Sequence, residues 1–265
     1  MTLNRGIISS PDERDMFIGW ARAPAVDRRF LVAALPLGLA GVGGAGYALA
    51  AALDDPGAGA WLTGATHEVE GVFSRTPYPM LRIADPAAPF GMRTILVIAE
   101  GKCTSALALD AFAGEAVRAS GVLIERGPRR ALEVPLAHQD WIAQLDAPPS
   151  PALAAPAEED LGPVSLAGMI MDSKCFFGVM KPARGRTHKA CASLCIRGGI
   201  PPSFWARTPD GREAVLLMTN ADGGPMGDAI LPLVAEPARV TGRLVRVGDI
   251  VQLRADAGDY APADA

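Results

Sequence analysis

An uncharged apolar run near the N-terminus is the feature that most constrains this chain. Residues 30–53 read FLVAALPLGLAGVGGAGYALAAAL, which is 24 residues without a charged side chain. As a helix with a rise of about 1.5 Å per residue, such a run is long enough to cross a hydrocarbon core of about 30 Å. A helix that is apolar on all sides needs lipid or a large protein around it. The run therefore predicts a single transmembrane helix over residues 30–53.

The charges beside this run predict its orientation. Basic residues precede the run and acidic residues follow it, namely Arg22, Arg28 and Arg29 before it and Asp54 and Asp55 after it. The positive-inside rule then places an N-terminal tail, residues 1–29, in the cytoplasm and residues 54–265 in a bacterial periplasm, with the anchor in the inner membrane. A cleavable signal peptide is the alternative, because Ala48-Leu49-Ala50 resembles a cleavage site. The length of the tail and of the apolar run favours the retained anchor.

Composition restricts the rest of the chain. Hydrophobic residues make up 49% of the sequence, which is too many for a disordered chain. The 29 glycines and 23 prolines predict many turns and short strands. The net charge of −4 argues against a general nucleic-acid binder, which would present a basic face. We therefore expect a mainly β protein with a membrane and a protein as partners, and no nucleic acid.

A weak internal repeat predicts two similar domains. The sequence Glu115–Val134 aligns with Glu236–Ala255 at an offset of 121 residues, and each copy has a glycine in mid-strand and a second glycine at a turn. This pattern is typical of a β-hairpin. Residues 146–162 are rich in Pro, Ala and acidic residues and predict a linker. We therefore predict two tandem, OB-like β-barrel domains, at residues 62–145 and 163–258.

The second copy carries an insertion, residues 172–202, that holds most of the reactive side chains. Thr187 is a suitable N-cap, residues 190–196 are compatible with a helix, and Gly198-Gly199 would end it. His188, Cys191 and Cys195 would share one face of this helix, and Cys175 would close onto that face through a loop. The spacing Cys-x12-His-x2-Cys-x3-Cys predicts a Cys3His metal site for Zn, or for Cu or Fe. Asp172 is a candidate acceptor that would hold His188 or Lys174, behind the metal ligands; formation of a turn by Asp172-Ser173 is the alternative.

Two other interpretations of the same cysteines stay open. In an oxidising compartment, Cys175 could form a structural disulfide with Cys191 or Cys195. Alternatively, Cys191 or Cys195 could be the nucleophile of a thiol enzyme with His188 as its base. No phosphate-binding loop, nucleophile elbow or zinc-protease motif occurs in the sequence. A non-enzymatic role is therefore favoured, and Cys103, which has no Cys or His near it in sequence, is interpreted as a residue at a strand end.

The insertion is also basic within an acidic protein. Six basic residues fall in residues 168–200 against the single acid Asp172, namely Lys174, Lys181, Arg184, Arg186, Lys189 and Arg197. Such a patch could lower the pKa of the thiols, dock an acidic protein partner or an anionic small molecule, or only keep the loop soluble. Together with the anchor, it predicts an accessory subunit of a membrane redox or assembly complex.

The Cys/His spacing also supports a resemblance. The string Gly168-x3-Asp172-Ser173-x-Cys175, followed by His188-x2-Cys191-Ala192-x2-Cys195 and a Val240-Thr241-Gly242 hairpin, resembles a group of small exported bacterial domains with a D-S-x-C…H-x2-C-A-x2-C pattern. The resemblance covers residues 166–256, roughly a third of the chain. It implies export, an OB-like β fold and a common role for the three cysteines and the histidine. The group has no assigned activity, so the resemblance does not choose between a metal and a disulfide.

Overall fold

A helix covers the apolar run. The computed structural model describes residues 25–52, 59–207 and 211–263. Helix α1, Ala25–Ala52, begins five residues before the predicted boundary at Phe30, and its stretch Ala25–Leu49 is long and apolar enough to span a membrane. An N-terminal signal sequence has the same property. The rest of the predicted tail, residues 1–24, and the two aspartates after the run lie outside the described residues.

Strands dominate the described part of the chain after residue 58, and they form two sheets. The first sheet contains β1 (Ala60–Trp61), β2 (His67–Ser74), β3 (Met80–Ala84), β4 (Met92–Ala99), β5 (Ala116–Arg126), β6 (Arg129–Val134) and β7 (Ile142–Gln144). The second contains β8 (Glu158–Asp172), β9 (Pro202–Arg207), β10 (Glu213–Thr219), β11 (Pro237–Val247), β12 (Ile250–Arg254) and β13 (Tyr260–Pro262). Two short α-helices, α2 (Pro151–Ala154) and α3 (Lys189–Arg197), and several further helical turns also occur in the described residues.

Both sheets close into five-stranded barrels with the same order. In the first barrel β5, β2, β3, β4 and β6 are successive neighbours, and β6 pairs back onto β5. In the second barrel β11, β8, β9, β10 and β12 follow the same path, and β12 pairs back onto β11. The pairs β4–β6 and β10–β12 are parallel, while the other pairs in both barrels are antiparallel. The predicted fold, an N-terminal apolar helix and two small OB-like barrels, is confirmed.

Four glycines explain how the longer strands bend to close the barrels. Gly71 and Gly121 in the first barrel occupy the positions of Gly168 and Gly242 in the second. A Cβ atom at any of these positions would lie 2.1 to 2.6 Å from a carbonyl oxygen of a neighbouring strand. Only glycine permits this close approach of two backbones. The repeat seen in the sequence is therefore a repeat of the bends that close each barrel.

The segment between the barrels differs from the predicted linker. Strand β8 already begins at Glu158, inside the predicted linker 146–162, because the long strand β11 offers it a pairing partner as far as Val247. Upstream, Leu153 of α2 is buried with Val72 and Met92 of the first barrel. The segment is thus shorter than predicted and is packed against the first barrel.

The two barrels belong to one compact unit, Pro56–Ala265. One cluster of buried residues contains side chains from both of them, including Tyr78, Leu96 and Ile98 from the first barrel and Met171, Phe177, Cys195 and Leu217 from the second. The hydroxyl of Tyr78 donates a hydrogen bond to the carbonyl oxygen of Met218, at 2.8 Å, across this interface. The inserted segment between β8 and β9 therefore lies where the barrels meet.

Candidate metal centre

The insertion begins with a tight turn at the end of β8. Asp172, the last residue of β8, accepts a hydrogen bond on Oδ1 from the backbone N–H of Cys175, at 2.8 Å. The next residue, Ser173, donates its hydroxyl hydrogen to the carbonyl oxygen of Pro201, at 2.8 Å, which ties the start of the insertion to its end. A wide helical turn, Cys175–Val179, follows and buries Phe176 and Phe177. Cys175 is thus held at the base of the insertion.

The predicted helix is present, but it begins one residue later than the predicted cap implies. A short turn, Arg186–His188, leads into α3, and His188 rather than Thr187 occupies the N-cap position. This turn depends on Gly185, whose φ of 81° suits glycine and whose carbonyl oxygen accepts the N–H of His188. The helix ends as predicted at Gly198, whose N–H donates to the carbonyl oxygen of Leu194 at 3.0 Å.

The four predicted ligands come together in space. The ligand atoms of Cys175, His188 and Cys191 lie within 4.8 Å of one another, and those of Asp172, Cys175 and Cys195 also lie within 4.8 Å of one another. Cys175, His188 and Cys195 are buried, and Cys191 is half-buried. All four cysteines of the chain are free thiols in the structure. Three sulfur atoms and one imidazole form a donor set that could hold a metal ion.

Asp172 orients the histidine of this cluster. Its Oδ2 atom lies 3.0 Å from Nε2 of His188, and the carboxylate is fully buried. When Nε2 carries the proton that this hydrogen bond requires, Nδ1 keeps a lone pair available for a metal. A carboxylate behind a histidine in this way fixes the tautomer and the ring orientation of a metal-binding imidazole.

Lys102, which was not among the predicted site residues, reaches the cluster from the other barrel. This residue lies in the loop after β4, and its Nζ atom donates to Sγ of Cys191 at 2.8 Å and to Sγ of Cys195 at 3.3 Å. Nothing in the local sequence marks Lys102 as a site residue, because it is about 90 positions away from both cysteines. Its neighbour Cys103 is exposed and belongs to neither of the two ligand groups.

The loop that carries Lys102 fits closely against the end of α3. A Cβ atom at Gly198 would lie 1.6 Å from the carbonyl oxygen of Lys102, so only glycine permits this contact. The N–H of Ser105 donates to the carbonyl oxygen of Gly198, at 2.9 Å. The two glycines that end the helix therefore also form the surface onto which the first barrel packs.

The contacts within the cluster shift the pKa values of its groups. The hydrogen bond from the Cys175 thiol, helped by Lys102, lowers the pKa of Cys195 to about 7, against the effect of burial. The same hydrogen bond to Cys195, together with burial, raises the pKa of Cys175. Burial acts to lower the pKa of Lys102, but its contacts with Cys191 and Cys195 outweigh burial and raise it. The cluster therefore combines a cationic lysine with a thiol that ionises easily.

The structure corrects the predicted docking patch at Lys174. This side chain is only 4% exposed, and its Nζ donates to the carbonyl oxygens of Ala99 at 2.8 Å and of Gly101 at 3.0 Å. It also forms an ion pair with Glu133 of the first barrel, at 2.5 Å. Lys174 therefore joins the two barrels, and the prediction that it binds a partner is wrong, because a buried, paired ammonium group is not accessible.

The other basic residues of the insertion are exposed or half-buried, namely Lys181, Arg184, Arg186, Lys189 and Arg197. Arg186 and Lys189 both bind the carboxylate of Glu236, at 2.8 and 3.0 Å. Their use as a docking surface stays a prediction.

Comparison with known proteins adds no family to this description. No protein-family model matches the chain, and no curated protein matches its sequence.

Proposed function

We propose that this chain is a membrane-anchored, non-enzymatic metal-binding protein whose second barrel holds one divalent ion, Zn²⁺ in the first instance. The ligands are Cys175, His188, Cys191 and Cys195. The observation that carries the proposal is the convergence of three thiols and one imidazole, from both ends of the insertion, at a largely buried position. Cu and Fe are alternative occupants, because they accept the same donors.

The surroundings of the four ligands support a cation at this place. Three thiolates and the carboxylate of Asp172 would concentrate negative charge in a buried space, which is costly unless it is compensated. A divalent ion offsets half of this charge, and the ammonium group of Lys102 offsets more of it while donating to two sulfur atoms. The hydrogen bond between Asp172 and His188 pre-orients the imidazole.

Metal content and thiol count together test this proposal. The full chain, purified in detergent without chelator, is expected to contain one metal ion per chain and to show a single readily alkylated thiol, that of Cys103. A chelator should then expose three more thiols. Cys191→Ser should lose the metal, whereas Cys103→Ser, the matched control, should keep it.

A structural disulfide in place of the metal would give a different metal content and a different mass. A chain without metal, whose intact mass is lower by about two hydrogen atoms because two thiols have formed a disulfide, would overturn the proposal. It would favour the structural disulfide instead.

A thiol-redox function is the second candidate, and one contact favours it. Nζ of Lys102 donates to the sulfur atoms of both Cys191 and Cys195, so a cation adjoins two thiols and could stabilise a thiolate. Turnover of a disulfide substrate by the metal-free chain, and loss of this turnover in Cys195→Ser, would favour the enzyme. Metal binding without such turnover would favour the metal site.

We further propose that α1 anchors the chain in a bacterial inner membrane with residues 54–265 in the periplasm. Arg28 and Arg29 at the start of the helix and the resemblance of residues 166–256 to exported domains support this. Cys103 offers a native probe, because it is exposed. A membrane-impermeant maleimide should label Cys103 in intact spheroplasts, and labelling only after lysis would contradict the orientation. The mass of the mature chain separates a retained anchor from a cleaved signal.

We also propose that the anchored protein is an accessory subunit that docks onto a membrane redox or assembly complex. The exposed Lys181 and Arg197 support this, because they leave positive charge at the surface of the insertion. Crosslinking in membranes from the native host should capture one defined partner. Reversal of both charges, Lys181→Glu with Arg197→Glu, should abolish the capture if these residues form the docking surface.

A further inference from the structure

A cleft between the two barrels has the features of a second binding site. Its volume is about 400 Å³, within the range of pockets that hold small molecules. Strands β4 and β6 contribute one wall, and β10 and β12 contribute the other. The cleft therefore lies where the parallel strand pairs of the two repeats face each other.

Most of the lining of this cleft is apolar. Leu96 from the first barrel and Val215 and Leu217 from the second line it, with Phe177 of the insertion and Ile250 of β12. At its edge lies Phe90, whose side chain is 62% exposed although it is large and apolar. A lining of this kind favours an aliphatic or aromatic group over water.

One cation in the cleft lacks a carboxylate partner. Nε and Nη2 of Arg129 both donate to the single carbonyl oxygen of Val215, at 3.3 and 3.0 Å. Among the described residues, no ion pair joins Arg129 to a carboxylate, and Glu213, the acid that influences it electrostatically, is bound by Arg126 at 3.0 Å. A partly buried guanidinium with one acceptor for its five N–H groups is under-satisfied.

The other charged groups of the cleft are already engaged. Arg93 pairs with Asp85 at 2.8 Å, and Arg130 pairs with Glu125 at 3.2 Å. Asp249 accepts hydrogen bonds from the backbone N–H and the hydroxyl group of Thr94, at 2.9 and 2.5 Å. Arg129 is therefore the group in the cleft that is placed to receive an anion.

Comparison of the two repeats shows that this arginine is particular to one copy. At the offset of 121 residues, Arg129 corresponds to Ile250, and both residues line the same cleft. The hairpin can thus be built with an apolar residue at this position. The barrel architecture does not require Arg129, which donates two of its N–H groups to Val215 of the other barrel and leaves the others available to a ligand.

We propose that this cleft binds an amphipathic carboxylate, with its carboxylate on Arg129 and its hydrocarbon part between the two barrels. The guanidinium would form a charge-assisted, two-pronged contact with the carboxylate. The apolar walls would bury the hydrocarbon part. This site is separate from the Cys/His cluster, so its test does not depend on whether that cluster binds a metal.

Titration calorimetry with decanoate tests this site in the full chain. Decanoate should bind with one site per chain. Decanol keeps the hydrocarbon part but lacks the charge. It should bind at least about tenfold more weakly, because it loses the charge-assisted hydrogen bonds to Arg129. Arg129→Gln should weaken decanoate binding by a similar factor. The matched control, Arg75→Gln, removes a half-buried arginine outside the cleft and should leave binding unchanged.

A second variant covers the case in which Arg129→Gln perturbs folding. Ala214 lines the cleft and is half-buried, so Ala214→Phe should fill the space and abolish decanoate binding while Arg129 stays in place. Equal binding of decanoate and decanol, binding of inorganic phosphate as tightly as decanoate, or unchanged binding in Ala214→Phe would each overturn the proposal.

Discussion

Nζ of Lys102 lies 2.8 Å from Sγ of Cys191, and the two residues belong to different barrels. The candidate metal centre is therefore a property of the assembled pair of barrels. The insertion supplies the ligands, and the first barrel supplies a cation beside two of them. We expect metal binding and barrel packing to depend on each other, because the same lysine takes part in both.

Removal of the Lys102 ammonium group should weaken metal binding without abolishing it. We expect Lys102→Met to lower Zn²⁺ affinity by about 10–100-fold, the usual effect of groups behind the metal ligands. Competition with a chromogenic chelator measures this. Lys102→Arg should retain part of the affinity, and Lys181→Met, an exposed lysine of the same insertion, should retain all of it. An unchanged affinity in Lys102→Met would show that the lysine plays no part in the site.

Replacement of Gly198 should separate the Lys102 loop from α3. A Cβ atom there would lie 1.6 Å from the carbonyl oxygen of Lys102, so Gly198→Ala must move backbone. Overpacking of this kind costs about 1–3 kcal/mol of the free energy of unfolding, and we expect a lower metal affinity as well. Denaturant unfolding and the chelator assay measure the two effects. Gly227→Ala, where a Cβ meets no atom within 4 Å, should be close to neutral.

The Oδ2 atom of Asp172 should contribute to metal affinity, because it holds His188. In Asp172→Asn the side-chain oxygen can still accept the N–H of Cys175, but the amide nitrogen cannot accept the proton of His188. We expect a 10–100-fold loss of metal affinity with little change in secondary structure by circular dichroism. Asp222→Asn, which removes an exposed acid elsewhere, is the control. If both variants bind metal like the wild type, Asp172 does not orient the histidine.

The hydroxyl group of Tyr78 should stabilise the contact between the barrels. It donates to the carbonyl oxygen of Met218 at 2.8 Å and accepts the N–H of Met226 at 2.9 Å. Tyr78→Phe leaves the buried carbonyl of Met218 and the half-buried N–H of Met226 without this partner and should cost about 1–3 kcal/mol. The matched control is Tyr260→Phe, because the buried hydroxyl of Tyr260 has no hydrogen-bond partner among the described residues. Thermal unfolding of both variants should show a loss of stability for the first only.

The ion pair between Arg126 and Glu213 should stabilise the fold at neutral pH, and this stabilisation should be lost in acid. Burial acts to raise the pKa of Glu213, but hydrogen bonds from Arg126 and Trp205 outweigh it and lower the pKa. A carboxyl group with a lowered folded-state pKa contributes its stability above its unfolded pKa, about 4.3, and loses it as the pH falls through the folded-state pKa.

Glu213→Gln should therefore reduce the acid dependence of unfolding below about pH 4.5. The change should be less than about 1 kcal/mol, because the Glu213 side chain is 36% exposed and solvent screens the pair. Urea unfolding at several pH values measures it. An identical acid dependence in the wild type and the variant would contradict a role for this pair.

Local patterns in the sequence were sufficient to predict the barrels, the apolar helix and the four candidate ligands. The repeat at 121 residues predicts matching hairpins because a glycine bend and a glycine turn are local requirements of a small barrel. The predicted helix around Cys191 follows from its start and stop residues, and its periodicity places the ligands on one side. These features depend on residues a few positions apart, so they can be predicted from a single sequence.

Contacts between distant residues were decided only by the tertiary structure. The charge of Lys174 was predicted to face a partner, but packing buries it against Glu133 of the other barrel. Lys102 carries no local motif, and its role arises only because Gly198 permits the first barrel to approach α3.

The sequence by itself thus determined the two barrels, the apolar helix and the candidate donor set. The tertiary structure decided which cation lies beside the thiols, because the close approach at Gly198 joins segments that are about 90 residues apart. A contact over that distance leaves no periodic pattern in the sequence.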